Sequence, residues 1–359
     1  MKKWGLLAVI VLLLAAVPTA WAEELPGDLA AALPPEASVL VEEAQSEAGA
    51  DALLPGMSRL GRTALSEFRR LLGSELKGTA VLVIAALLCG LFESLHGEGE
   101  GGGRVVTVAG ALTVTAAAAG DVRSMLGLGA QSVEQMALFA QTLLPTLAAA
   151  TASGGAAATA GTAQVATVYF TGVLISLIRY MLLPLVGLFV GIAAAGAMLP
   201  EHDLHRLQAG LSRLITVVLT SLLAVFTTAL TLFRAVGSAV DGTALRLTRS
   251  AISAAVPVVG SIVSDAAESV LAGAMALKSA VGVFGMLGVL SICLLPFVRL
   301  AVQYLAYKLA ALLAATVGSK PLVSLIDSLG SAFGLVLGMC GACALLLLIS
   351  VSTFVSVVT

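Results

Sequence analysis

Three short clusters carry the residue types that catalysis or metal binding requires. Residues 201–205 read EHDLH, which sets His202 and His205 one helical turn apart between Glu201 and Asp203. Zinc needs about four ligands, and half of such a set can come from a histidine pair of this kind. The cluster falls between two apolar stretches, where polar residues belong in any case, so it reads as a connecting segment. Cys340 and Cys343 have CxxC spacing. They sit in the most apolar stretch of the chain with no second pair and no histidine nearby, and helix packing accounts for them. Residues 97–103 read GEGEGGG. A phosphate-binding loop would add Gly-Lys-Ser/Thr to carry phosphate and Mg²⁺, and that is missing. With only 3 histidines, all expected in loops, no triad can be argued. The expectation is no catalytic residue, no cofactor and no metal.

What remains is a thin set of polar side chains inside apolar sequence. Ser261, Ser264, Asp265 and Glu268 fall at i, i+3, i+4 and i+7, one face of a helix. Thr216, Thr220, Thr227 and Thr231 approximate another such face, and Gln131, Glu134 and Gln135 begin a third. Arg179 and Lys308 are lone charges in long apolar runs. Two readings stand for Ser261, Ser264, Asp265, Glu268, Arg179 and Lys308. They line a polar conduit or meet a partner, or they keep a polar face toward water at the membrane interface.

The elements that hold these residues follow from composition. Of 359 residues, 59% are hydrophobic and 11% charged, against about a quarter charged in a soluble domain. A soluble fold cannot cover that much apolar surface with so few charges. A bilayer removes the difficulty, provided every backbone amide is satisfied inside a helix. The net charge of -2 gives no footprint for nucleic acid. The 37 glycines and 5% aromatics suit helices that pack backbone to backbone. Cys89, Cys293, Cys340 and Cys343 all lie in apolar runs, so no disulfide framework is expected.

The N-terminus has the grammar of a secretory signal: Lys2 and Lys3, an apolar run over 5–17, then Ala20-Trp21-Ala22 as a cleavage site. Residues 1–22 are therefore expected to be a signal peptide, 23–77 an extracytoplasmic polar region, and 78–359 a membrane domain of several helices. Within the polar region, Leu60, Ala64, Phe68, Leu71 and Leu72 lie at helical spacing beside Arg59, Arg62, Arg69 and Arg70. That pattern predicts an amphipathic helix over 57–77. Candidate spans are 79–95, 105–120, 165–178, 181–199, 214–233, 281–298, 300–317 and 334–358, for an all-α, multi-pass protein of six to eight hydrophobic helices. The run 165–199 would measure about 52 Å as one helix, against a hydrocarbon core of about 30 Å. A break near Arg179, Pro184 and Gly187 is therefore expected. By the positive-inside rule the segment with Arg234, Arg246 and Arg249 is cytoplasmic. The same count leaves Arg299 outside, in conflict with the rule.

Residues 255–318 (AVPVVGSIVSDAAESVLAGAMALKSAVGVFGMLGVLSICLLPFVRLAVQYLAYKLAALLAATVG) contain VPVVGS, SDA, a CL.P element and YKLAA. Residues 143–161 read LLPTLAAATASGGAAATAG. Both stretches resemble the stage III sporulation protein AE family, and the signal peptide and polar N-terminal region come in the same order. The resemblance implies a polytopic subunit, akin to an export-apparatus or permease part, of the stage III sporulation A complex. It implies an ATPase and other membrane proteins as partners. It also implies a forespore partner across the intermembrane space, with this subunit in the mother-cell membrane that surrounds the forespore. No catalytic residue transfers. Two rivals remain: a permease-like transporter of a small solute, and a purely structural scaffold. A transporter would be expected to bury charge among its helices.

Overall fold

The computed structural model describes residues 53–96, 102–199, 204–255 and 260–356, with side chains over 58–75, 77–94, 105–199, 204–243 and 280–355. The expected signal peptide and the acidic stretch after it lie outside the described residues. Those described are helical apart from short turns and contain no strand. The elements are α1 (Leu53–His96), α2 (Gly102–Ser153), α3 (Ala157–Leu177), a π turn (Ile178–Leu182), α4 (Leu183–Met198), α5 (Leu204–Ala255), α6 (Gly260–Ala314) and α7 (Lys320–Ser356).

Among the described residues, six stretches are long and apolar enough to cross a membrane: Ser58–Ser94, Val105–Ser153, Ala157–Met198, Leu204–Thr243, Ala280–Ala314 and Lys320–Val355. Six is the lower end of the expected range, because neighbouring candidates fuse. The stretch 57–77 and the span 79–95 are one helix, α1. Spans 281–298 and 300–317 are one helix, α6, which carries Pro296 in its interior. Arg299 is therefore a mid-helix residue, and counting it in an exterior loop was wrong. The break expected near Arg179 is not a break either. Pro184 cannot donate to the Tyr180 carbonyl and its ring crowds that group. The ladder widens into the π turn just ahead of it and then resumes as α4.

Small residues set the approach of the helices. A Cβ at Gly288 would overlap the Phe139 ring, one at Gly285 would press on Leu143, and one at Gly282 would overlap Val355. The glycines spaced by three on α6 thus seat α2 and α7. On α1, Ala86 is fully buried, and a Cβ at Gly90 would strike the backbone of Val317 and Gly318. The α6–α7 turn lies on α1 there, and its Ser319 N–H donates to the Ala86 carbonyl at 3.4 Å. Gly187, Gly191 and Gly338 have open space, so the GxxxG reading holds for only part of the sequence. At the α2–α3 turn, Gly155 adopts φ 90, a left-handed conformation that favours glycine. Its N–H returns to the Ala152 carbonyl at 3.0 Å and closes the helix end.

The core formed this way runs the length of the bundle. Phe139 lies against Phe284, Phe170 against Phe226 and Tyr307 against Phe333, with centroids 6.4, 5.4 and 5.0 Å apart. The far side of α1 exposes Val81, Ile84, Leu88 and Leu91 in a row. That is an apolar surface facing outward, as a lipid-solvated helix requires.

Gly288→Val is expected to lower stability by about 1–3 kcal/mol through overpacking, and Gly338→Ala to leave it within about 0.5 kcal/mol. Melting of the detergent-solubilised protein, followed by labelling of the buried thiols Cys293, Cys340 and Cys343, measures both.

Candidate functional site

Midway along α1, toward the end of α6 and near the start of α7, a polar layer joins these helices to α2. Arg299, Gln303 and Tyr307 on α6 are spaced by four and so share a face. Opposite them stand Glu75 on α1 and Asp121 on α2. Tyr307 is fully buried and donates its hydroxyl to Asp121 Oδ2 at 2.7 Å. Glu75 lies near enough to Gln303, Asp121 and Arg299 for their polarity and charge to act on it. On the other side of α6, Lys308 Nζ donates to Asp327 Oδ1 at 2.7 Å, to the Asp327 carbonyl at 3.1 Å and to Ser331 Oγ at 2.9 Å. Four helices therefore meet through charge or hydrogen bonding at one cross-section.

Toward one end the layer gives way to Leu82, Ala86, Ala111, Ala311, Ala314 and Leu322, all buried. Toward the other it gives way to Phe139, Leu143, Phe284 and Val351. Only Gln303 and Tyr307 of this layer are buried; Glu75, Asp121 and Lys308 are partly exposed and Arg299 and Asp327 exposed, so the layer reaches the surface of the bundle.

Three smaller polar links lie away from this layer. Glu93 Oε1 accepts from Thr107 Oγ1 at 2.7 Å and Ser319 Oγ at 3.2 Å, tying α1, α2 and the start of α7 together. Thr167 Oγ1 and Ser350 Oγ join α3 to α7 at 3.2 Å. The third is at the start of α3, whose N-cap, Ala156, offers no side-chain cap. Asp241 of α5 takes that role from 83 residues away. It accepts from the Ala158 and Thr159 amides at 2.8 and 2.9 Å and from the Thr159 hydroxyl at 2.6 Å. A Cβ at Gly237 would collide with Thr159, so glycine there admits the helix end.

The residues singled out from sequence are distributed unevenly. Lys308 belongs to the polar layer. Arg179 lies within the π turn and pairs with Glu134 of α2 at 3.7 Å, both about half exposed. Ser261, Ser264, Asp265 and Glu268 lie on the first turns of α6, and their side chains are outside the described residues. Of EHDLH only Leu204 and His205, at the start of α5, fall within them. Most of GEGEGGG likewise lies outside. The threonine stripe on α5 offers nothing outward: Thr216, Thr220, Thr227 and Thr231 all donate to carbonyls of their own helix. Cys340 and Cys343 are buried and free. No group of three or more His, Cys, Asp and Glu is placed to hold a metal among the described residues.

The sequence reading missed Glu75, Asp121, Gln303 and Tyr307. Glu75 was assigned to an exterior region, and Asp121 sits just past a short alanine-rich candidate span. The available signal was the four-residue spacing of Arg299, Gln303 and Tyr307 inside an apolar helix.

A family model described as stage III sporulation protein AE matches residues 50–358. The stage III sporulation protein AE of Bacillus subtilis (strain 168) is 24% identical over 197 residues, which cover 55% of this chain and 49% of that protein. The match thus spans about half the length of that curated relative. No solved structure matches.

Removing the hydroxyl with Tyr307→Phe is expected to cost about 1 kcal/mol, the scale of interhelical hydrogen bonds in membranes. Asp241→Ala removes three accepted bonds at a helix start and is expected to cost about 2 kcal/mol, the upper end for a cap. The thiol-labelling melt reads both, and a neutral Asp241→Ala would contradict the capping role.

Proposed function

This chain belongs to the stage III sporulation protein AE family, and from that premise we propose that it is a non-enzymatic, multi-pass membrane subunit of a channel-like or secretion-like sporulation complex. The observation that carries the proposal is the joint one: the family match covers the whole helical bundle, and that bundle has six helices of spanning length and composition. The names of the family and the relative are those of a sporulation protein, not of an enzyme.

In this reading the subunit sits in the mother-cell membrane around the forespore. The other membrane proteins of the stage III sporulation A complex and its ATPase are its neighbours, and a forespore protein meets the complex across the intermembrane space. Residues 1–22 are a signal peptide, 23–77 are extracytoplasmic, and 78–359 form the membrane domain. The face of Ser261, Ser264, Asp265 and Glu268, with Arg179 and Lys308, lines a polar conduit or meets a partner.

A permease-like transporter of a small solute is the second reading. The polar layer favours it, since polar and charged side chains shared between membrane helices are what such a protein needs.

Deleting the gene in its endospore-forming host is expected to sharply reduce heat-resistant spores, and a wild-type copy to restore them. Normal spore counts after deletion would contradict the role. Against that background, two sets of variants separate conduit from scaffold. Loss of spores in Asp265→Ala and Glu268→Ala, with membrane insertion and co-purification of partners retained, supports a conduit. Loss only in Gly285→Leu, which forces α6 off Leu143, supports a scaffold.

A further inference from the structure

The first half of α1 is split by charge. Leu60 packs on Val283 and Leu287 of α6, and Ala64, Phe68, Leu71 and Leu72 are partly buried. Arg59, Arg62, Arg69 and Arg70 are all exposed. With Ser66, exposed between them, they fall at i, i+3, i+7, i+10 and i+11, one outward face of the helix. About 17 Å of helix thus displays four guanidinium groups. The contacts made there by Arg62 and Arg70 are with α1 itself, to Ser58 and Glu67. Over residues 57–77, five basic side chains stand against two acidic ones, a net charge of +3.

The complementary charge lies next to it in the chain. Residues 23–52 carry eight acidic side chains and no lysine or arginine. Their last residue directly precedes α1, seven positions from Arg59. Such a length reaches the whole face at either extreme, about 45 Å at helical rise or about 100 Å extended. The spacing agrees as well. Counted backward, Glu47, Glu43 and Glu36 are separated by 4 and 7 positions; counted forward, Arg59, Arg62 and Arg69 are separated by 3 and 7. At equal rise per residue the two series stay in step when the segment folds back antiparallel to α1.

We propose that residues 23–52 dock along the Arg59, Arg62, Arg69 and Arg70 face of α1 and cover it. Each exposed ion pair is weak alone. The tether supplies an effective concentration on the order of millimolar, so several weak pairs suffice together. Docking neutralises the face, and a basic surface opens only when the segment leaves. The contact lies within one chain and is independent of the assembly role, so arginine chemistry and spore counts fail separately.

Phenylglyoxal, which modifies accessible guanidinium groups, reads the contact on the full chain in neutral detergent. The variant combines Glu36→Gln, Glu43→Gln and Glu47→Gln. At about 20 mM NaCl its Arg62, Arg69 and Arg70 are expected to react about threefold faster or more than those of the wild type, and about 0.5 M NaCl to bring the wild type to the variant's rate. Arg123 and Arg213, exposed on α2 and α5, are the reference sites and are expected to react alike in both. A photo-reactive residue in place of Ser74, about 32 Å along α1 from its start, is expected to capture a peptide from 23–52, and to capture it several-fold less in the variant. Equal arginine rates in wild type and variant overturn the docking, as does equal capture at Ser74. Slow reaction that survives the glutamine substitutions and requires anionic lipid in nanodiscs also overturns it, and assigns the face to the bilayer surface.

Discussion

A helix in hydrocarbon satisfies its own backbone, so helix formation alone does not say which helix lies against which, or at what height. In this bundle the polar layer supplies both. Tyr307 can meet Asp121 while Phe139 meets Phe284 only if α2 and α6 run antiparallel at one register. Leu60 can pack with Val283 and Leu287 while Gly90 meets Val317 and Gly318 only if α1 runs alongside α6. Lys308 fixes α7 through Asp327 at the same height. A slip by one turn on any of these helices would leave a carboxylate or an ammonium among apolar side chains without its partner.

The small residues act at a distance from that layer and agree with its register. Gly282, Gly285 and Gly288 lie on one side of it along α6 and admit Val355, Leu143 and Phe139. Ala86 and Gly90 lie on the other side and admit the α6–α7 turn. Side-chain partners therefore choose the height, and missing side chains allow the contact. Asp241 shows the same division on α3 and α5: the carboxylate supplies the cap that Ala156 lacks, and Gly237 leaves room for the helix start. At Arg179 the solution differs, because Pro184 withdraws a donor and the helix answers with a wider turn.

Much of the architecture was legible in the sequence, and the failures share a cause. Composition and apolar run length gave an all-α membrane protein, and the 255–318 block pointed to the family. The span count fell within the expected six to eight, but eight candidate spans became six helices because a charge inside an apolar run was taken as an end. Arg299 divided α6 on paper, yet its helix continues. Glu75 was lost in the same way: a carboxylate among arginines looks exterior until Gln303, 228 positions away, is placed beside it. One-dimensional hydropathy cannot pair a buried charge with its partner, since partners here come from different helices. Periodicity was informative where it repeated within one helix, as at Arg299, Gln303 and Tyr307.

The claim on which the account turns is that Glu75 of α1 and Gln303 of α6 face each other across the contact between those two helices. With native cysteines replaced, Glu75→Cys and Gln303→Cys can be treated in isolated membranes with a short bifunctional thiol reagent, and the chain then cut at a protease site inserted within 200–203. The account predicts that the two fragments stay joined, and that Glu75→Cys with Tyr304→Cys, on another face of α6, comes apart. Fragments that separate for the 75/303 pair while the 75/304 pair stays linked would contradict the register and the polar layer with it.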